Sequence, residues 1–333
     1  ETLTLTGTST ISDANVGVKT VNTGGFTLND QAGANASSGG LASNYILSGG
    51  THQLTINQRP LNATLARQYD GTTNAAGSDL SSFDALQGGE TLTLSGSGTV
   101  GDENVANGQG VTLGTLALVD GTGLASNYSL NSASLNITER VLNSSGSKFY
   151  DANTNALAAD ITLSNLVSGE ALNHSGTASI SSANAGSYTI TNLAGITIAD
   201  GSGGTASNYT LTGGTHNFTV NPKVVSIQGN KTYDGNTTIS SGNITSVVGT
   251  VGTQTLVISG GSGTVSSANA ATYASAGINE GTLTLGNGTN GGLASNYTLT
   301  GHAASSFQVT QRVLSSSGSR IYDGSTTASS SDL

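Results

Sequence analysis

The side chains able to do acid–base or metal chemistry in this 333-residue chain are few: four histidines, nineteen carboxylates and nine cations, with no cysteine. Hydrolysis or metal binding would need them convergent. His52, His174, His216 and His302 do not share one position, and none has a companion carboxylate at ligand spacing. His52 and His216 match each other in Thr-His contexts and read as surface residues on a strand. Nothing in the pattern places a Ser-His-Asp site. Calcium is the metal that the acidic turns would suit, because oxygen ligands bind it. Asp120-Gly121-Thr122-Gly123 and Asp200-Gly201-Ser202-Gly203 occupy matching positions, as do Asp13 and Asp102. Only two of four copies keep each acid, so a plain Asp-Gly turn competes with calcium at Asp120 and Asp200. The reading is of a non-enzyme that needs no cofactor.

The cations obey a rule. Eight of the nine fall at two recurring positions: Arg59, Arg140, Lys223 and Arg312, then, 8 residues later each time, Arg67, Lys148, Lys231 and Arg320. An even separation puts both side chains on one face of an unbulged strand, about 26 Å apart at ~3.3 Å per residue. Either they mark the ends of an edge strand and neutralise nearby carboxylates, or the junction residue bridges to a neighbouring unit. Lysine there also raises an internal isopeptide bond, which arginine at the equivalent places cannot form.

Tyrosine is equally disciplined. Eight of the ten lie in two markers. One holds Tyr69-Asp70, Tyr150-Asp151, Tyr233-Asp234 and Tyr322-Asp323; the other, Ala-Ser-Asn-Tyr, holds Asn44-Tyr45, Asn127-Tyr128, Asn208-Tyr209 and Asn296-Tyr297. Tyr188 and Tyr273 share a third position. Exposed tyrosines at such intervals would make a ligand ladder. The preferred reading makes them large apolar elements of small cores, hydroxyls hydrogen-bonded at the rim. The preceding Asn would close a turn through its amide. Ala152 replaces the Gly of the other Tyr-Asp markers, which argues against a required positive φ.

These markers imply the elements that carry them. The marker asparagines recur after 83, 81 and 88 residues and the Tyr-Asp tyrosines after 81, 83 and 89. Two markers drifting together mean tandem modules, at a period longer than that of solenoid coils. The expected domains are a partial module at 1–58, modules at 59–139, 140–222 and 223–311, and the start of a further one at 312–333. Glu1-Thr2-Leu3-Thr4-Leu5 matches Glu90-Thr91-Leu92-Thr93-Leu94 in mid-repeat, so the chain is expected to be cut from a longer array.

Forty-eight glycines, 8% charged residues and 5% aromatics leave helix formers scarce. Short alternations such as Thr91-Leu92-Thr93-Leu94 between Gly, Asn and Ser clusters predict a mostly β array of small modules, β-grasp-like or β-sandwich-like, end to end in an elongated rod. Disorder is the competing reading of such composition, but low-complexity sequence would not keep register over four copies. A net charge of −10 argues against nucleic-acid partners. No apolar run approaches the length of a membrane span. The absence of cysteine fits an exported product stable without disulfides. Asn-x-Ser/Thr triplets, Asn127-Tyr128-Ser129 among them, occur as often as such a composition makes by chance.

In the template copy, the spacing predicts a first strand over 60–68, a turn at Asp70-Gly71, and a helical turn near Phe83 and Leu86. A strand over 91–94, a strand or pair over 111–119, and a closing pair over 129–138 follow.

Together, Lys/Arg-x-Tyr-Asp-Gly-x-Thr, Ser-Ala-Asn-Ala-Gly-Ser-Tyr-Thr-Ile (residues 182–190) and Ala-Ser-Asn-Tyr-Thr-Leu with a closing strand such as Asn217-Phe218-Thr219-Val220 resemble the YDG-type repeat domain, and the related MBG-type domain, of very large bacterial surface adhesins. The resemblance covers essentially the whole chain. It departs at Ala152 and where Val16-Gly17 and Val105-Ala106 replace the middle Tyr. It implies a secreted, often two-partner-exported, filamentous-haemagglutinin-like adhesin or biofilm-matrix protein on the outer surface of a Gram-negative bacterium, with these modules as stalk. It brings no catalytic residues. Three functions stay open: a stalk projecting a distal adhesive domain, a self-associating extracellular fibre whose repeats bind other copies, and an array binding surface or matrix polysaccharide.

Overall fold

The computed structural model describes residues 2–30, 40–190 and 192–333; Glu1, first residue of the repeated Glu-Thr-Leu-Thr-Leu, lies outside them. Its elements are short strands and three-residue 3-10 turns. The chain clusters into two compact units. One comprises Glu1–Val141, Val167–Gly169 and Thr205–Thr210, the other Leu142–Leu166, Glu170–Gly204 and Leu211–Leu333.

Three times over, the chain builds the same four-stranded sheet. Within 59–138 the order is Ala106–Gly110, Tyr128–Thr138, Arg59–Gln68, Leu80–Phe83. Within 140–222 it is Ile161–Ser164, Asn143–Phe149, His216–Asn221, Gly186–Thr189. Within 223–311 it is Ile244–Val248, Ser226–Thr232, Ser306–Thr310, Ala271–Ala274. The opening and closing strands lie side by side and parallel, as in Lys148 opposite Val220 and Lys231 opposite Val309. The outer strands run antiparallel to them.

That order is β-grasp-like, but among the described residues no helix crosses the sheet. The covering layer is a second, smaller sheet, in the 140–222 copy Asn155–Leu157, Leu172–Ser179 and Ile196–Asp200. Ala156, Ala178 and Ile196 from that sheet share a core with Ile161, Ile190, Phe218 and Val220. The modules are β-grasp in topology and sandwich-like in layering. Period-2 alternation explains this: Leu61, Ala63 and Leu65 face inward while Asn62 is exposed.

Several expectations change. The first strand is central, not an edge. It is continuous at Arg59–Gln68, where its partner takes up an irregularity between Leu130 and Ser132. In the next copy it breaks into Arg140–Val141 and Asn143–Phe149 around the fully buried Leu142. Phe83 ends the strand Leu80–Phe83 where a helical turn was expected. The closing pair is one strand, Tyr128–Thr138.

The Tyr-Asp loop shows what the second recurring cation does. Lys148 Nζ reaches the Asp151 carboxylate at 2.9 Å and donates to the carbonyls of Asn153 and Asn155. Lys231 repeats this with Asp234, Asn236 and Thr238, as do Arg67 with Asp70 and Thr72, and Arg320 with Asp323 and Ser325. The Asn236 N–H and the Lys231 ammonium hold the Asp234 carboxyl below the usual carboxylate range. At Asp151, burial pushes up, but Lys148 and the Asn153 N–H outweigh it and lower the value. The loops are closed by oxygen acceptors around the cation head, nearly buried at Arg67, Lys148 and Lys231 and more open at Arg320, which is why Arg and Lys interchange there.

Position 152 corrects the expectation about backbone sign. Ala152 has φ 64, like Gly71 at 73 and Gly235 at 83. The turn does require the left-handed region, and Ala152 carries the Cβ penalty of roughly 1–2 kcal/mol, less the ~0.5–1 kcal/mol entropy that Gly would lose. Ala152→Gly is therefore expected to raise unfolding free energy by about 0.5–1 kcal/mol in chemical denaturation. A loss of stability would show that the turn relaxes elsewhere.

Candidate functional site

The two tyrosine markers meet. Tyr69 and Tyr209 stack edge-to-face with ring centroids 5.5 Å apart, and Tyr150 and Tyr297 do so at 5.2 Å. In both pairs the Tyr-Asp tyrosine of one module touches the Asn-Tyr tyrosine of the next. Such a pair adds about 0.5–1.5 kcal/mol beyond its buried area.

Each Asn-Tyr turn sits on a three-residue 3-10 turn: Ala42–Asn44, Ala125–Asn127, Ala206–Asn208 and Ala294–Asn296. In three of them the first N–H is held by an upstream oxygen. Ala125 donates to Asp120 Oδ1 at 2.7 Å, Ala294 to Asn287 Oδ1 at 2.8 Å, and Ala42 to Asp30 Oδ1 at 2.6 Å. An amide oxygen thus does what the Asp120 carboxylate does, so its charge is dispensable for the turn. Asp200, the other calcium candidate, ends the strand Ile196–Asp200. Among the described residues no three His, Asp or Glu side chains converge as a ligand set.

The asparagine then reaches into the preceding module. Asn208 Oδ1 accepts the Val105 N–H at 3.0 Å and its Nδ2 donates to Asn104 Oδ1 at 2.7 Å. Asn127 does the same with Val16 and Asn15, and Asn296 with Ala185 and Asn184. Asn208 and Asn296 are buried. The receiving asparagines are set by a turn whose acceptor varies: Asp13 for Asn15, Asp102 for Asn104, Ser182 for Asn184, Ser267 for Asn269. Asp13 and Asp102 are therefore turn acceptors that Ser replaces in the other copies.

A further bond ties each receiving turn. Tyr188 donates to the Asn184 carbonyl and Tyr273 to that of Asn269, both at 2.7 Å. Gln109 does this for Asn104, and Lys19 pairs with Asp13 in the first copy. The module-junction arginine takes part as well: Arg140 donates to the Tyr69 carbonyl at 3.3 Å. That is the bridging role; Arg59 instead donates to Gln87 Oε1.

The Asn-Tyr tyrosines are core residues with satisfied hydroxyls. Tyr209 accepts the Val167 N–H, and Tyr297 the Val251 N–H while donating to Gln254. Tyr128 accepts the Gln87 N–H and donates to Glu90. Tyr69 and Tyr150 are buried as expected, but Tyr233 is 41% and Tyr322 93% exposed, against the expectation of core residues. Tyr45 is half exposed.

The histidines are not all surface residues. His216 is buried, its ring between Ser144 Oγ and the Leu211 carbonyl, and His52 reaches the Leu47 carbonyl in the same way. His302 stands 2.9 Å from Glu280 Oε1, a pairing that the linear spacing concealed. No described helix is long and apolar enough to cross a membrane.

The family model of the YDG domain matches residues 52–137 and again residues 134–217. The chain carries tandem YDG domains. Both matched ranges contain a Tyr-Asp loop and an Asn-Tyr turn described above, and the second ends at Asn217, within the closing strand His216–Asn221. No curated protein and no solved structure is significantly similar to the chain.

Two outcomes test the site. Asn208→Ala removes both a donor and an acceptor from a buried contact and is expected to lower unfolding free energy by about 1–3 kcal/mol. Asn208→Asp, which still accepts from Val105 but cannot donate to Asn104, should fall between; wild-type stability in both would remove the contact from the fold's support. Separately, the hydrogen bond to Glu90 and burial push the Tyr128 phenol above its ordinary value of 10.0. The fold favours the neutral phenol, so this contribution is complete below pH ~10 and is lost as pH rises through the raised value. Melting temperature measured between pH 8 and 12 should fall less steeply in Tyr128→Phe than in wild type.

Proposed function

We propose that these YDG modules are the non-catalytic stalk of a secreted bacterial adhesin, holding a distal adhesive region away from an outer cell surface and so supporting cell adhesion or biofilm formation. The observation that carries this reading is the use to which the recurrent residues are put. Tyr69, Tyr150, Asn127, Asn208, Asn296 and their partners bind their own chain, module to module, through the same set of hydrogen bonds at successive junctions. Residues used in this way tie a module to its neighbour, which is what a spacer requires. Thr138-Glu139-Arg140-Val141 runs between strand patterns without Gly or Pro, so little slack is available.

Small-angle scattering of the chain tests it. A compact globule of this length has a radius of gyration of about 20 Å. The stalk reading expects a much larger value that shifts in Asn208→Ala. A radius near the compact value, or saturable binding of a polysaccharide by the modules, would sink it.

A further inference from the structure

In the Tyr-Asp loops the cation and the residue two after the aspartate change together. Lys148 goes with Asp151 and Asn153, and Lys231 with Asp234 and Asn236; Arg67 goes with Asp70 and Thr72, and Arg320 with Asp323 and Ser325. The aspartate is constant. A primary amine stands with a carboxamide, and a guanidinium with a hydroxyl.

The turn itself does not need the carboxamide. Asn153 Oδ1 accepts the Asn155 N–H at 2.9 Å and Asn236 Oδ1 the Thr238 N–H at 3.1 Å, but Ser325 Oγ accepts the Thr327 N–H at 3.0 Å in the same way. What asparagine adds is an acyl carbon, and it adds one only where an amine lies beside it.

The groups around that carbon are those of an acyl transfer. Lys148 Nζ stands 2.9 Å from Asn153 Oδ1, and Lys231 Nζ 3.1 Å from Asn236 Oδ1. The C=O bond adds at most ~1.23 Å, so Cγ lies within about 4.3 Å of Nζ, close to the ~3.5 Å of an attacking pair. Both lysine side chains are more than nine-tenths buried, which limits competition from water. The aspartate touches both nitrogens that must exchange protons. Asp151 Oδ1 is 2.9 Å from Lys148 Nζ, and its Oδ2 accepts Asn153 Nδ2 at 2.7 Å. Asp234 Oδ1 is 3.0 Å from Lys231 Nζ, and the carboxylate is also bonded by the Asn236 side chain. A carboxylate so placed can take a proton from the attacking nitrogen and give it to the leaving one. The Asn155 and Thr238 N–H groups, already on the amide oxygens, are placed to hold the negative charge of a tetrahedral intermediate.

We propose that Lys148 and Asn153, and likewise Lys231 and Asn236, close intramolecular isopeptide bonds. Nζ attacks Cγ of the asparagine, the Nζ–Cγ bond forms and the Cγ–Nδ2 bond breaks. Two protons pass from Nζ by way of the aspartate to Nδ2, which leaves as ammonium; nothing is oxidised or reduced. Because the amine must lose a proton before it attacks, closure is faster in alkali. The bond spans the loop that carries Tyr150, whose ring stacks on Tyr297, so it fastens covalently a loop that bears a junction contact. The loops with Arg67 and Arg320 have neither nucleophile nor acyl group and stay open.

Intact mass of the denatured chain tests this, after incubation of the folded protein at pH 6 and pH 9. The expected mass falls below the 32.8 kDa of the sequence by ~34 Da, one ammonia of ~17 Da for each bond, and falls sooner at pH 9. Trypsin should fail to cut after Lys148 and Lys231. Lys148→Arg with Asn153→Thr reproduces the loop of the 59–139 copy, and Asp151→Asn removes the proton carrier while keeping the side-chain shape. Each should lose only ~17 Da, from the untouched Lys231 loop, which also reports that the array is folded. A mass equal to that of the sequence at both pH values would overturn the proposal. So would a deficit unchanged in both variants, or one that fragmentation places at an Asn-Gly pair such as Asn290-Gly291, where a succinimide would account for it.

Discussion

The parallel pairing of first and last strand governs this architecture. Because Asn143–Phe149 and His216–Asn221 run side by side in the same direction, a module's Tyr-Asp loop and its exit lie at one end: the Tyr150 N–H bonds the Asn221 carbonyl where the closing strand stops. The next opening strand must start there. Its first residues pair in turn with the strand that follows an Asn-Tyr turn, as Arg140 does with Tyr209. Both tyrosine markers are thus brought to each junction by one feature of topology, although they lie some 140 residues apart in the chain. A parallel pair with a long crossover is costly to close and slow to find.

What is built there depends on neutral hydrogen bonds and apolar contact more than on charge. Asn reads Asn and a backbone N–H, one ring stacks on another, and the supporting acceptors are carboxylate, amide or hydroxyl as each copy supplies. A neutral, partly buried contact of this kind is little weakened by salt, unlike a surface ion pair. The same interchangeability explains why Asp13, Asp102 and Asp120 are not matched in every copy: the turns need an oxygen at a given point, and several side chains carry one.

The modular period, the β class and the importance of both tyrosine markers were legible because repetition within the chain reports them directly. Strand order was not, since alternation in 59–68 tells which face is buried and nothing about which strand lies alongside. The receiving asparagines were visible as a recurring turn, yet the partners of Asn15, Asn104 and Asn184 stand 104 to 112 residues away, a separation that one sequence leaves unmarked. His302 and Glu280 escaped for the same reason. At position 152 the residue type does not report the dihedral angle: Ala152 stands in the left-handed region, and the Lys148 hydrogen bonds close the loop around it.

Edge strands explain how such a chain could be rich in β structure and poor in charge without pairing sideways. The outer strands of the sheets are short: Leu80–Phe83, Ile161–Ser164, Gly186–Thr189 and Ala271–Ala274 span four residues each, and Ala106–Gly110 is irregular. A short or bulged edge offers few unpaired backbone groups to a neighbour. The long strands are covered on both sides, and their ends are occupied by stapled loops and asparagine contacts. Backbone groups open to pairing are therefore few along the flanks of each module, and the recurring side-chain contacts lie at its ends.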